Sequence, residues 1–128
     1  MKLLVPISVG DLLDKISILE MKAEAIAEPA KRANVVRELA ALRAVRDRDV
    51  AAAPQLEALC AELHQVNRLL WQVEDGLRER ERDGCFDERF VELARSVYRH
   101  NDRRAAIKRR INEITGSELV EEKSYKPA

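Results

Sequence analysis

The chain has 128 residues, 36% of them Asp, Glu, Lys or Arg, and its 23 acidic and 23 basic side chains cancel. That length sets a single domain, 1–128, able to bury roughly two-thirds of its unfolded surface without a disulfide or metal, while zero net charge gives no global pull toward nucleic acid or an acidic membrane. No apolar run approaches the ~18 residues of a membrane span, and the apolar opening is cut by Pro6 and Gly10 before a signal-peptide core is complete, so the expected compartment is the cytoplasm.

Leu3 to Ile7 read as extended. The first helix opens at Ser8, with Asp11 three residues on, a variant of the capping box. Its apolar stripe is Val9, Leu12, Ile16, Leu19, Ala23 and Ile26, and Pro29 is expected to end it. A second helix runs from about Lys31 to Asp49 on a thinner stripe of Val35, Leu39, Leu42 and Val45. The Ala51–Pro54 segment then breaks the pattern, because the residue before proline resists helical geometry.

The third helix spans about Pro54–Arg82. Leu56, Leu59, Leu63, Val66, Leu70, Val73 and Leu77 alternate steps of three and four without a miss. Gly84 supplies a left-handed residue to close it. Asp87 caps a fourth helix that runs to Thr115 and stops at Gly116, with Phe86 and Val91 at the positions of a hydrophobic staple. So short a connection makes helices three and four an antiparallel hairpin. Leu119 to Tyr125 again read as extended, either pairing with Leu3–Ile7 as a small ribbon or fraying. The expected fold is therefore all-α, an antiparallel bundle built on that hairpin.

The two cysteines lie 25 positions apart, roughly 37 Å on a continuous helix, which excludes a disulfide between Cys60 and Cys85. Cys60 and His64 share a helix face and make half of a metal set. A half-buried thiol beside a surface imidazole is the plainer reading, so no metal and no cofactor are expected.

The chemistry lies where the apolar pattern fails. Continuing the helix-four stripe through Phe90, Ala94 and Val97 leads to Asn101, Arg104 and Lys108 before Ile111. Three core-type positions in a row are polar and two are cationic. Asn67 on helix three faces that layer, and Glu20 falls on the apolar side of helix one. Buried charges must pair, reach water or hold a ligand. Glu20, Asn67, Asn101, Arg104 and Lys108 are thus the candidate ligand-binding residues. The alternatives are a self-satisfied network that fixes register and cationic stems that cover the core while their heads reach water.

Ile18, Met21 and Ala25, opposite the stripe of helix one, imply burial on both sides or a subunit contact, and a homodimer is the expected assembly because four helices of unequal quality make a thin core. Arg95, Arg99, Arg103, Arg109 and Arg110 make helix four basic outside. No aromatic platform accompanies them, and the acids Glu118, Glu121 and Glu122 are near enough to neutralise part of the face. Nucleic acid is not the expected partner.

These residues also resemble a small bacterial family of unknown function. The resemblance rests on the run from Pro6 to Lys22, on Leu70-Trp71 with Glu74-Asp75, and on Phe86-Asp87 with Phe90. It continues through Leu93–Tyr98, Asn101–Ala105 and Lys108, and ends on Gly116-Ser117 and Glu121–Tyr125. It covers nearly the whole chain and implies no activity. The all-helical chorismate mutases are similar only in class, since helix one carries no arginine to bind substrate carboxylates. The expectation is a non-catalytic helical module that binds a partner protein or a small anionic ligand. The alternative is an enzyme for a small carboxylated or phosphorylated substrate, with Arg104 and Lys108 binding the anion and Glu20 as acid or base.

Overall fold

Ser8 begins the first helix in the expected way. Its hydroxyl accepts a hydrogen bond from the Asp11 N–H at 3.0 Å, and α1 (Val9–Ala25) follows in the computed structural model, which describes residues 1–128. The backbone turns extended at Ile26, and Pro29 opens α2 (Pro29–Asp49) instead of closing α1. Proline suits the first position of a helix, where its missing N–H leaves nothing unpaired. α3 (Pro54–Arg82) and α4 (Glu88–Thr115) complete an all-helical bundle without strands.

The α3–α4 turn closes with two backbone bonds. The Cys85 N–H donates to the Arg80 carbonyl at 2.8 Å and the Gly84 N–H to the Glu81 carbonyl at 3.1 Å, with Gly84 at φ 65°. This is the Schellman arrangement that a glycine after a helix end permits. Asp87 then caps α4 by accepting from the Phe90 N–H at 3.0 Å, and Arg80 grips the same carboxylate at 2.8 Å. Phe86 packs edge-on against Phe90, centroids 5.2 Å apart, in place of the expected contact with Val91.

α1 is the central element. It packs on α2, α3 and α4, whereas the backbone of α2 comes close to α1 alone. Leu12, Leu13, Ile16 and Leu19 of α1 form one core with Leu39, Leu56, Leu63, Val66, Ile107 and Ile111. A second stripe of α1, Gly10, Asp14, Ser17 and Met21, is buried as well. Met21 is thus covered within its own chain, whereas Ile18 is half-buried and Ala25 is exposed.

Two further expectations are corrected. Ala94 is exposed and Leu93 is buried in its place, against Gly76 of α3, so the α4 stripe is rotated by one residue in this stretch. The terminal segments form no ribbon. Met1–Pro6 is exposed, and the residues after Gly116 are held by side chains instead of a strand ladder: Lys123 on Asp102 at 2.7 Å, Glu122 on Arg109 at 3.0 Å and Glu121 on Lys108 at 2.7 Å. A ladder needs two extended partners within reach, and the tail instead finds the cations of α4.

Candidate functional site

The site begins with a missing side chain. The Gly10 N–H donates to Asn112 Oδ1 at 2.7 Å, and a Cβ at Gly10 would lie 2.7 Å from the Lys108 carbonyl oxygen. That close crossing of α1 over α4 brings Asp11 and Asp14, one and four residues further on, onto the cations of α4. Arg104 forks onto Asp14, with Nε 3.0 Å from Oδ1 and Nη2 on Oδ2. Asn67 Nδ2 donates to the same Oδ1 at 2.9 Å and to Ser17 Oγ at 3.3 Å. Asp14 is only 3% exposed, and three donors on two helices satisfy its carboxylate oxygens.

Lys108 lies one turn along. Its ammonium is 2.7 Å from Asp11, 2.7 Å from Glu121 of the tail and 3.9 Å from Asp14, and its side chain is 12% exposed. Burial pulls its pKa down, but the bonds to Asp11 and Glu121 outweigh this and the net shift is upward. Burial also raises Asp11, and again Lys108, with Ser8 and Glu121, reverses it, leaving that carboxyl below its ordinary value. The bidentate bond to Asp14 raises Arg104 further. Every buried side-chain nitrogen and oxygen has a partner.

Of the five residues expected to converge, Asn67, Arg104 and Lys108 do so. Asn101 stands at the rim, lining with Arg104, Ala105, Lys108, Glu121, Lys123 and Tyr125 a recess of about 260 Å³. Glu20 is not part of the group. It lies on the α2 side of α1 and pairs with Arg43 at 3.2 Å. The acids that actually meet the cations are Asp11, Asp14 and Glu121. Asp14 was legible in principle, because Gly10, Asp14, Ser17 and Met21 repeat at steps of four, three and four, a buried-helix period carried by small and polar residues.

A further chain of contacts leads away from Asp14. Ser17 Oγ is 3.0 Å from His64 Nδ1, and Arg68 Nη2 is 3.2 Å from His64 Nε2. A guanidinium only donates, so Nε2 must accept and Nδ1 carries the proton, which it gives to Ser17. In this tautomer the imidazole does not act as a base toward the hydroxyl. Burial pushes the Cys60 thiol upward. No three His, Cys, Asp or Glu side chains gather closely enough to hold a metal. The two cations are already matched by three acids, and the arrangement presents no activated nucleophile.

Fold and site together define a helical bundle with an internal ionic network closed by its own C-terminal tail. The chain belongs to a family of unknown function, DUF6165, whose model matches residues 1–128. No curated protein and no solved structure matches it. No helix is long and apolar enough to cross a membrane.

Proposed function

We propose that the chain is a non-catalytic binding module that takes a small carboxylate or phosphate at Lys108, in the recess between α4 and the tail. The observation that carries this reading is the unequal anchoring of the two carboxylates on Lys108. Asp11 is fixed in the first turn of α1, whereas Glu121 lies on a tail without regular structure and its side chain is 45% exposed. An ion pair that exposed is worth about 1 kcal/mol or less, so an incoming anion displaces it at little cost. The exchange is also required by charge. Asp11 and Asp14 already balance Arg104 and Lys108, so Glu121 is a surplus acid that an incoming anion must replace and cannot join. An enzymatic role finds no support in the placement of Glu20, which lies outside the group.

The test is a thermal-shift series of inorganic phosphate, malonate and citrate on the full chain and on Lys108→Met and Glu121→Gln. Wild type should gain stability, Lys108→Met should lose that gain, and Glu121→Gln, freed of its internal competitor, should bind more tightly. Stabilisation reaches about 2.7 kcal/mol at a hundred times Kd, enough to be seen. Absence of any shift with wild type, or an equal response from Lys108→Met, contradicts the reading.

A further inference from the structure

The outer half of the α3–α4 hairpin stands apart from the bundle. The core contains no residue of α3 beyond Val66 and none of α4 before Ile107, while Val73 and Leu93 are buried outside it. No hydrogen bond or ion pair from α1, α2 or the tail reaches residues 69–100. Those of the outer hairpin stay within α3, α4 and their turn. One face of α4 here is apolar and exposed: Val91 is 51% exposed and Phe86, just before the helix, 60%, with Ala94 exposed after it, while Tyr98, 40% exposed, has Arg99 5.8 Å over its ring and borders the tail at Tyr125–Ala128.

Val91, Ala94 and Tyr98 follow steps of three and four, the seam of a coiled coil, on a helix whose own partner lies on another side. We infer that this seam pairs with the same seam of a second copy, α4 against α4 and antiparallel, turning two hairpins into a four-helix bundle about a two-fold axis. A two-fold contact requires a self-complementary surface, and the residues meet that condition. Setting Val91 opposite Ala94 of the second copy brings Tyr98 opposite the Phe86–Asp87 corner. The same register sets Glu88 beside Arg95 on one flank and Phe90 beside Val97 on the other, each pair occurring twice. Glu88 and Arg95 form no ion pair within their own chain, although neighbouring Arg89 and Glu92 pair with each other at 3.3 Å. The seam's charges thus lack an opposite charge within the chain, and each finds the opposite sign across the axis.

Sedimentation equilibrium of the full chain tests this independently of the anion site. So short a seam belongs among small interfaces, and wild type should associate to a dimer with Kd on the order of 10 μM. Val91→Glu should be monomeric at about 100 μM, ten times that Kd. Glu88→Arg and Arg95→Glu should each be monomeric alone, because every flank then carries like charges. Mixed one to one they should form a heterodimer, since each variant supplies the charge that the other lacks. All three positions are solvent-exposed, and unchanged far-ultraviolet circular dichroism will show that the variants are folded. A monomeric wild type, a dimer indifferent to Val91→Glu, or single-charge variants that fail to pair on mixing would each overturn the proposal.

Discussion

Asp14 carries more of the network than any other side chain. It accepts from Asn67 of α3 and from the fork of Arg104 of α4, and it is almost fully buried. Asp14→Ala leaves a half-buried guanidinium and a buried amide without their acceptor, so urea unfolding should show a loss of about 3–5 kcal/mol. Lys108→Met is different in kind. The acids it deserts, Asp11 and Glu121, have side chains 37% and 45% exposed and can rehydrate. Stability should therefore change by only about 1 kcal/mol in either direction. Protonation follows from the same contacts. The carboxyl of Asp11 is held below its unfolded value of about 3.9. Its contribution is thus present above that pH and is lost as pH falls through the lower, folded value. Lys108 is shifted upward, so its contribution is complete below about pH 10.4 and disappears as pH rises through its higher folded value. Urea midpoints should be flat in pH between these limits as far as this pair is concerned. In Lys108→Met the acid loss due to Asp11 should shrink.

At the scale of the helix, two glycines separate backbone approach from side-chain contact. A Cβ at Gly10 meets the Lys108 carbonyl at 2.7 Å, a backbone atom that cannot retreat without moving α4, and Asn112 Oδ1 at 3.0 Å, which is held by its bond to the Gly10 N–H. Gly10→Ala should destabilise by about 1–3 kcal/mol in denaturant unfolding. A Cβ at Gly76 meets only a methyl of Leu93 at 3.2 Å, a flexible tip. There the helical preference of alanine, ~1 kcal/mol, offsets the crowding, and Gly76→Ala should leave stability unchanged or raised. The same distinction explains what could be read from the sequence. The hairpin was legible because α3 carries an unbroken leucine stripe and Gly84 and Asp87 are turn chemistry. The polar interior at Asn67, Arg104 and Lys108 was legible because it interrupts such a stripe. The second buried face of α1 was not, since Gly10, Asp14 and Ser17 do not register as core to an eye tuned to apolar residues. Glu20 lies on the core side of α1, yet its carboxylate reaches outward to Arg43, so helical phase alone put it in the wrong group.

Taken whole, the molecule has a core at the open end of the hairpin and a bare two-helix extension at the other. The charged tail closes the side of the core where α1 crosses α4. Nothing local in residues 117–128 specifies that closure. It depends on Lys108, Arg109 and Asp102, which lie on α4, so the tail acids' approach to the basic face of that helix was foreseeable, as Glu122 on Arg109 shows, but the closure over Lys108 was not. The recess beneath it is built from the tail itself, Glu121, Lys123 and Tyr125 forming one wall. Ligand entry and tail release are therefore one event in the proposed exchange. The direct measurement is a nuclear magnetic resonance titration of the full chain with malonate and with inorganic phosphate, following the backbone amides of Glu121–Tyr125 beside those of Asp11 and Lys108. The proposed exchange predicts that the tail amides move saturably toward unstructured values while Asp11 stays in place, and that Glu121→Gln reaches the same end point at lower anion concentration. Tail amides that remain fixed while either anion binds, or that move alike in wild type and Lys108→Met, would contradict it.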